Sequence, residues 1–392
     1  MSDNGGQPRI VTRSFSGRQT APAAQLPPES EAALRQFSAE RLMAYGMAYA
    51  DMVELRGRVA GGEIWEVVAA ELAVTCLSPP EAVLARESRS TRANRLYRAS
   101  ALTRMQQMMM LTDTPERRAI FARAAALYVE AASLSGDRER VRIETPGGPL
   151  VGWLHGASIA APVGATLVIG GVEGWAMDFA PMGTALAARG VAALLLDGPG
   201  QGETRLDHGH YLSRDWPSAY RAAVDHLQSR LPDVPLGIIG NSLGGSVVVR
   251  YAALDPRIRA CCDNGGPATV TRARANATFF RKMVAHTGGK PDDEALAIWE
   301  SVLPTGPDMP LSGPLLVVHG GLDPLIPDAD AMSILEETVA PSRDMAIWSD
   351  GDHCVYNHAD DKHDLIADWM AIQLAEAGLR EPLSIPISRA SA

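Results

Sequence analysis

Two hydrophobic patterns divide the chain near residue 136. Over residues 30–134 apolar side chains recur every three or four positions, as Leu34 and Phe37 do, which is the spacing of amphipathic helices. Turn-forming residues separate about four predicted helices, with breaks at Gly61-Gly62, Pro79-Pro80 and 112–115. The pattern predicts a small all-α domain.

Beyond Gly136, short apolar runs alternate with helical stretches. The predicted strands are 140–144, 150–155, 166–169, 191–196, 236–239, 258–262, 315–318 and 345–348. The predicted helices between and after them are 179–188, 216–230, 243–253, 331–339 and 364–375. Strands alternating with helices predict a mostly parallel sheet covered by helices on both faces.

These patterns predict four segments. Residues 1–28 contain glycine, serine and proline without apolar periodicity, which is typical of a flexible leader. We expect a helical cap domain over 29–138, an α/β domain over 139–380 and a short tail over 381–392.

Charge and composition narrow the class of protein. The 392 residues carry a net charge of −10, and the arginines are scattered among acids, which argues against a nucleic-acid partner. No apolar run reaches the roughly 18 residues of a spanning helix, and the opening MSDNGGQPRIVTR has no apolar signal core. We therefore expect a cytoplasmic protein without a membrane partner. The four cysteines lack zinc or disulfide spacing, and we expect reduced thiols.

The motif with the clearest chemistry is Gly240-Asn241-Ser242-Leu243-Gly244, which fits the G-x-S-x-G pattern between a predicted strand and a predicted helix. Such a tight strand-to-helix turn holds the serine in a strained conformation and exposes its hydroxyl. Ser242 is therefore the predicted nucleophile, and the N–H of Leu243 is a predicted oxyanion donor. The alternative is a glycine-rich helix entry without chemistry.

A second oxyanion donor is expected from the loop after the strand 166–169. Its glycine pair, Gly170-Gly171, brings backbone N–H groups close to a reacting carbonyl, and Val172 is the predicted donor. Glu173 has two interpretations: complementation of a helix dipole, or contact with the substrate.

Asp323 follows the strand 315–318, where the third member of a catalytic triad belongs in this arrangement. Asp328 and Asp330 are alternatives, although they lie where a helix begins at Ala331. His319 is interpreted as a residue at the end of the strand.

His353 lies in the turn-rich segment after the strand 345–348 and is the predicted general base. His358 is the alternative base. No role is assigned to Cys354. The order serine, aspartate, histidine along the chain is the order that the α/β-hydrolase fold uses, and it differs from the orders of other serine-hydrolase folds.

One further segment holds candidate pocket residues. The turn Asp197-Gly198-Pro199-Gly200-Gln201-Gly202 is interpreted as structural. After it, His208, His210 and Tyr211 are candidates for the mouth of a substrate pocket, although loop histidines often have no specific role.

With these motifs placed, the chain resembles the α/β hydrolases that carry an N-terminal helical domain. This group includes 2,6-dihydroxypseudooxynicotine hydrolases, fungal polyketide-shortening hydrolases and the fermentation-respiration switch family. The resemblance covers about residues 140–378 and rests on Gly170-Gly171-Val172-Glu173, Leu196-Asp197-Gly198-Pro199-Gly200-Gln201-Gly202-Glu203, Gly240-Asn241-Ser242-Leu243-Gly244-Gly245, Asp350-Gly351-Asp352-His353 and Ala367-Asp368-Trp369.

The resemblance implies a substrate pocket between the helical and α/β domains, a homodimer and, for some members, hydrolysis of a carbon–carbon bond beside a ketone. The nicotine-pathway members use an additional acid in the stretch that corresponds to residues 265–274. Here that stretch contains no acid, and Arg272 and Arg274 stand there instead. These arginines make an anionic substrate a further expectation.

The sequence thus predicts a serine hydrolase that needs no metal or organic cofactor and acts on a small carbonyl substrate with an apolar or aromatic portion. Ester, thioester and carbon–carbon bonds remain open, since the same acyl chemistry serves all three. A non-catalytic regulatory protein on the same fold is the alternative of another class. The methionines at 105 and 108–110 either line the pocket or pack in the helical core.

Overall fold

The computed structural model describes residues 16–270, 276–304 and 309–380. Within these ranges, no helix combines the length and the apolar character needed to cross a membrane. The chain folds into a helical N-terminal region followed by an α/β region.

In the described range 16–270, seven helices precede the first strand, where the sequence predicted about four. Their bounds are α1 (Pro28–Gln36), α2 (Ala39–Ala44), α3 (Tyr49–Ala60), α4 (Trp65–Leu77), α5 (Glu81–Leu84), α6 (Arg89–Met105) and α7 (Pro115–Ser135). The difference arises partly because the stretch before Gly61, predicted as one helix, is divided into α1, α2 and α3. The Ser38 side chain accepts a hydrogen bond from the N–H of Arg41, at 3.1 Å, and so caps α2. Gly46, at φ +79°, turns the chain before α3.

Part of the predicted leader lies within the described residues. Residues 16–18, which belong to the predicted leader, form a short 3₁₀ turn against α3. The N–H of Gly17 donates a hydrogen bond to the Glu54 carboxylate at 2.8 Å, and the Ser16 hydroxyl binds the same carboxylate. These contacts are polar and join residues about 37 positions apart, so the apolar periodicity of the sequence could not indicate them.

All eight predicted strands are confirmed, and together they form one mostly parallel sheet. In the described residues the strands are β1 (Arg138–Ile143), β2 (Leu150–His155), β3 (Gly164–Ile169), β4 (Val191–Asp197), β5 (Leu236–Asn241), β6 (Ile258–Asn264), β7 (Met309–Pro310), β8 (Leu315–Gly320), β9 (Thr338–Val339) and β10 (Arg343–Trp348). The order in the main sheet is β1-β2-β4-β3-β5-β6-β8-β10, and β7 pairs separately with β9. Among the described strands, β2 alone pairs antiparallel with its neighbours.

Helices cover both faces of this sheet. In the described residues they are α8 (Ala180–Ala188), α9 (Gly202–Leu206), α10 (Trp216–Arg230), α11 (Leu243–Ala252), α12 (Ala277–His286), α13 (Asp292–Val302), α14 (Asp328–Glu337) and α15 (Ala359–Arg380). The helices α9, α12 and α13 were not predicted from the sequence.

Three hydrophobic clusters stabilise the fold. Two of them lie on the two faces of the sheet, where the side chains of β3, β4 and β5 are buried throughout. The third is the core of the helical region, and it includes Cys354 and Tyr356 from the segment after β10. The helical region therefore packs directly on the segment that carries His353.

Candidate active site

Ser242 lies at the tip of the turn between β5 and α11. Its backbone has φ +55° and ψ −132°, a conformation that residues other than glycine rarely adopt. The turn is compact because glycine follows: a Cβ atom on Gly244 would lie 2.3 Å from the carbonyl oxygen of Gly170. Local strain therefore presents the serine at the carboxyl end of a central strand.

The structure brings Ser242, His353 and Asp323 into one hydrogen-bonded chain. The Nε2 atom of His353 lies 2.9 Å from the Oγ atom of Ser242, and its Nδ1 atom lies 2.7 Å from Oδ2 of Asp323. The other carboxylate oxygen of Asp323 accepts hydrogen bonds from the N–H groups of Leu325 and Ile326, at 2.8 and 3.0 Å. The aspartate is thus fixed in its loop, and the histidine is oriented by it.

Charge and burial shift the pKa values of His353 and Asp323 in opposite directions. Burial alone lowers the pKa of His353, but the adjacent Cys354 sulfur and the Asp323 carboxylate together outweigh it, and the pKa of His353 is raised. Burial raises the pKa of Asp323, and the charge of His353 outweighs it, so that this pKa is lowered. The pair therefore favours an ionised aspartate beside a histidine that holds a proton readily.

The loop after β3 lies against the serine. A Cβ atom on Gly171 would lie only 2.8 Å from Cβ of Ser242, so this approach requires glycine. Within the described residues, the N–H groups of Val172 and Leu243 have no hydrogen-bond acceptor. Both predicted donors are thus available to a developing oxyanion, which is the arrangement such a site needs.

Gln201, in the turn after β4, holds this loop by hydrogen bonds, a role that the sequence did not indicate. Its side-chain amide donates to the carbonyl oxygens of Gly170 and Gly171, at 2.6 and 2.9 Å. Asp197 supports the same turn by accepting the N–H groups of Ala176 and Glu203, at 2.8 and 2.9 Å. Burial raises the pKa of Asp197 to about 7. The turn predicted as structural therefore orders residues 170–173, which are called the oxyanion loop below because they include the predicted donor Val172.

Helix α12, which was not predicted, also holds the loop, through His286. The Nε2 atom of His286 lies 2.9 Å from the carbonyl oxygen of Val172, and because a carbonyl only accepts, Nε2 carries the proton. Burial lowers the pKa of His286 to about 3, so the ring is neutral. Two signals in the sequence mark this helix: Asn276 caps its start, and Gly288-Gly289 follows its end.

Two cavities meet at His353. The first, of about 280 Å³, is mostly apolar and is lined by Leu243, Pro267, Thr269, Val270, Asn276, Phe279, Met283, Pro324, Leu325, Ile326, Asp330 and His353. The second, of about 500 Å³, contains Ser242 and extends to α1 and α2 of the helical region, being lined also by Ala32, Arg35, Gln36, Ser38, Arg41, Val172, Glu173, Asn276, Thr278, Phe279, Lys282, Pro324, Leu325, Asp352, His353 and Tyr356.

Glu173 lies in the larger cavity and binds residues of both regions. Its carboxylate accepts hydrogen bonds from Gln36 and Lys282, and it lies 3.4 Å from a guanidinium nitrogen of Arg41. The Tyr45 hydroxyl donates to its backbone carbonyl at 3.2 Å. Glu173 therefore joins the oxyanion loop to α1, α2 and α12.

The structure does not bring three of the candidate substrate residues to the site. His208 contacts Arg142 at 3.0 Å, and Tyr211 donates its hydroxyl to Asp113 at 2.9 Å. His210 is buried against the turn at Gly147. None of the three lines either cavity at His353. The predicted residues Arg272 and Arg274 lie outside the described residues.

The alternatives for the triad lie elsewhere. Asp328 pairs with the buried His319 at 2.8 Å and begins α14, while His358 pairs with Asp350 at 3.0 Å. Asp330 accepts the N–H of Ala268 at 3.1 Å and lines the apolar cavity. Of the methionines, 105 and 108 pack in the helical core, and 108 and 110 line a small space behind Glu173.

Fold and comparisons together define the class. A model of the hydrolase family described as serine aminopeptidase S33 matches residues 160–288. The solved structure of a 2,6-dihydroxy-pseudo-oxynicotine hydrolase superposes with a TM-score of 0.73 at 25% identity, over 87% of this chain and 97% of that one. The chain has the α/β-hydrolase fold with an N-terminal helical region, as predicted, and is a relative of the α/β hydrolases.

Curated relatives agree. The chain is 26% identical over 356 residues to 2,6-dihydropseudooxynicotine hydrolase of Paenarthrobacter nicotinovorans, which covers 88% of this chain and 93% of that protein. It is 41% identical over 83 residues to the hydrolase acrC of Aspergillus aculeatus, 19% of each chain. The solved protein AbyA5 shares the fold, with a TM-score of 0.61 at 20% identity over 80% of this chain and 89% of that one. AbyA5 thus shares the fold, while the family model and the likeness to 2,6-dihydropseudooxynicotine hydrolase support an enzyme of the hydrolase class.

Proposed function

We propose that this protein is a serine hydrolase that forms an acyl-enzyme on Ser242. The observation that carries the proposal is the continuous hydrogen-bonded chain from Ser242 through His353 to Asp323, with distances of 2.9 and 2.7 Å. A buried aspartate that holds Nδ1–H leaves Nε2 as the base toward the serine. This is the geometry of an activated nucleophile.

In the first half-reaction His353 takes the proton of Ser242 while Oγ attacks a carbonyl carbon. The N–H groups of Val172 and Leu243 hold the oxyanion that forms, and Gln201 and His286 keep the Val172 loop in place. His353 then gives the proton to the leaving group, whose bond to the carbonyl carbon breaks.

In the second half-reaction water replaces the leaving group. His353 removes a proton from the water, which attacks the acyl carbon, and the same N–H groups hold the second oxyanion. Collapse of this intermediate returns the proton to Ser242 and releases a carboxylic acid. Every group that these steps require belongs to the chain itself.

The cavities support a substrate with an apolar or aromatic portion. The smaller cavity is lined mainly by apolar side chains such as Phe279, Met283 and Ile326, and it opens at His353. The larger cavity carries polar and charged groups. A substrate that carries an apolar group on one side of the scissile bond and a polar group on the other fits both cavities at once.

The test is labelling and turnover in parallel. A fluorophosphonate probe is expected to label wild type at Ser242 and to leave Ser242→Ala unlabelled. Wild type is then assayed on p-nitrophenyl esters, acyl thioesters and aryl 1,3-diketones, which separate esterase, thioesterase and carbon–carbon hydrolase activity. A folded wild type that takes no label and turns over no substrate would instead support the non-catalytic regulatory protein.

A further inference from the structure

A buried lysine closes the cavity that contains Ser242. Lys282 lies on α12 with a side chain only 9% exposed, and it lines the cavity of about 500 Å³ together with Ser242 and Val172. One turn further along α12, His286 binds the Val172 carbonyl at 2.9 Å. The helix that positions the oxyanion loop therefore also places an ammonium group beside it.

The Lys282 ammonium retains free hydrogen-bonding capacity. A lysine ammonium has three N–H donors, and in the part of the chain that the structure describes its acceptor is the carboxylate of Glu173 alone. Two donors are therefore left over at a buried position. Charged donors at a buried position are costly unless they are paired. A substrate oxygen in the cavity that Lys282 lines would supply such a pair.

The charges around Glu173 favour an anionic acceptor. Arg41 and Lys282 share the single Glu173 carboxylate, which leaves one positive charge in excess at this point. The Arg41 guanidinium is already held by the hydroxyl of Tyr45, at 2.8 and 3.0 Å, and by the Gln36 carbonyl, at 3.2 Å. Among the described residues that line this cavity, Lys282 is thus a cation with donors left for a ligand.

Two other charged residues that line the cavity, Asp352 and Arg35, have contacts of their own. Asp352 accepts the N–H groups of Tyr356 and Asn357, at 2.6 and 3.2 Å. Arg35, at the outer end of the cavity, pairs with Glu31 at 3.1 Å. In the described residues, neither side chain is paired with Lys282, whose partner is Glu173.

We propose, building on the serine-hydrolase function, that Lys282 binds an anionic oxygen on the leaving-group side of the substrate. The oxygen belongs either to a permanent carboxylate or to an enolate that forms when a carbon–carbon bond breaks. Both present the same chemistry to an ammonium, namely a charge-assisted hydrogen bond.

For a 1,3-diketone the step balances without further reactants. Oγ of Ser242 bonds to one carbonyl carbon, and collapse of the intermediate breaks the carbon–carbon bond. The electron pair moves into the second carbonyl, whose enolate oxygen accepts a hydrogen bond from Lys282. The His353 imidazolium then gives its proton to the enolate carbon, and Lys282 keeps its own. Water releases the acyl group, so that diketone and water yield an acid and a ketone.

The experiment compares Lys282→Met with wild type on three substrates that share one acyl group. These are an ester of a neutral alcohol, an ester whose alcohol carries a carboxylate, and a 1,3-diketone. We expect kcat/KM to fall about 10- to 100-fold on each charged-oxygen substrate that wild type accepts, through KM for the carboxylate and through kcat for the diketone. Because Lys282 also binds Glu173 beside Val172, some loss of kcat/KM is expected on the neutral ester, but a smaller one than on the charged-oxygen substrates.

Lys290→Met is the matched control, because Lys290 is half exposed and pairs with Glu294. Lys282→Arg keeps the charge and is expected to recover part of the selective activity. An equal loss on all three substrates, no selective loss, or a wild type that cleaves the neutral ester but neither charged-oxygen substrate would overturn the role of Lys282. Fluorophosphonate labelling of each variant verifies the folded site. Failure of wild type to label, or to cleave even the neutral ester, would instead contradict the serine-hydrolase proposal.

Discussion

At the scale of single residues, the orientation of His353 depends on one carboxylate. Asp323 has a fully buried side chain, holds Nδ1 of His353 at 2.7 Å and contributes to the raised pKa of the ring. The serine can give up its proton only when His353 is neutral. The rate is therefore expected to rise with pH as the His353 imidazolium loses its proton, with an acid limb above the usual histidine range.

Asp323→Asn tests this dependence. The amide cannot carry the charge that stabilises the imidazolium, so kcat/KM is expected to fall about 10⁴-fold, and the acid limb of the residual activity is expected to move to lower pH. The measurement is the pH profile of ester hydrolysis. Asp328→Asn, which changes an exposed partner of His319, serves as control. An unshifted limb would show that Asp323 does not set the pKa of His353.

Glu173 has an electrostatic effect on Lys282. Burial lowers the pKa of Lys282, and the charge of Glu173 acts in the opposite direction. Glu173→Gln is therefore expected to lower the pKa of Lys282 further, so that its ammonium is lost at lower pH. If Lys282 binds substrate as a cation, the alkaline limb of kcat/KM for the charged-oxygen substrates moves to lower pH. The neutral ester is the internal reference, and its alkaline limb is expected to stay unchanged.

At the scale of elements, the oxyanion loop is held between two others. The turn after β4 supplies Gln201, whose amide donates to the carbonyls of Gly170 and Gly171. Helix α12 supplies His286, which binds the carbonyl of Val172. The N–H of Val172 is therefore oriented by contacts that its own loop does not contain, which is how preorganised donors are built.

Gln201→Leu removes the hydrogen bonds from Gln201 to the loop while keeping a similar side-chain volume. The carbonyls of Gly170 and Gly171 lose their donors, and the loop is expected to sample positions that do not direct the Val172 N–H at the oxyanion. We expect kcat to fall about 10- to 100-fold with little change in KM. Gln228→Leu on the exposed face of α10 is the control. A proportional rise in KM with unchanged kcat would place Gln201 in substrate binding instead.

The sequence predicted those elements whose signals are local. The central strands of the described sheet are apolar runs, and the triad candidates follow strands whose carboxyl ends meet at one edge, so topology alone brings them together. The contacts of Gln201, Lys282 and His286 join segments about 30 to 114 positions apart. No local pattern encodes such contacts. For the same reason, the sequence could not show that Tyr211 contacts Asp113 rather than the pocket.

At the scale of the whole molecule, the helical region contributes residues to the proposed active site. Gln36 and Arg41 reach Glu173, and Tyr356 from the His353 segment contacts Tyr45 through their hydroxyls at 3.3 Å. A change in the position of the helical region would therefore alter both the oxyanion loop and the segment that carries the base.

A buried ion pair fixes this arrangement and provides its test. The guanidinium of Arg104 on α6 lies 2.9 Å from the carboxylate of Asp178, and both side chains are at most 3% exposed. Asp178 also accepts the N–H of Trp175, at 2.9 Å, beside the oxyanion loop. Removing one partner of such a pair leaves an uncompensated buried charge.

Arg104→Met is therefore expected to lower the free energy of unfolding by about 3–5 kcal/mol, as measured by urea denaturation. The double variant Arg104→Met/Asp178→Asn removes both charges and keeps an acceptor for the Trp175 N–H, so it is expected to recover most of the loss. If the double variant is as unstable as the single one, packing of Arg104 rather than charge compensation stabilises the contact between the two regions. Recovery of stability together with esterase activity would establish that this contact requires charge balance and not the ion pair itself.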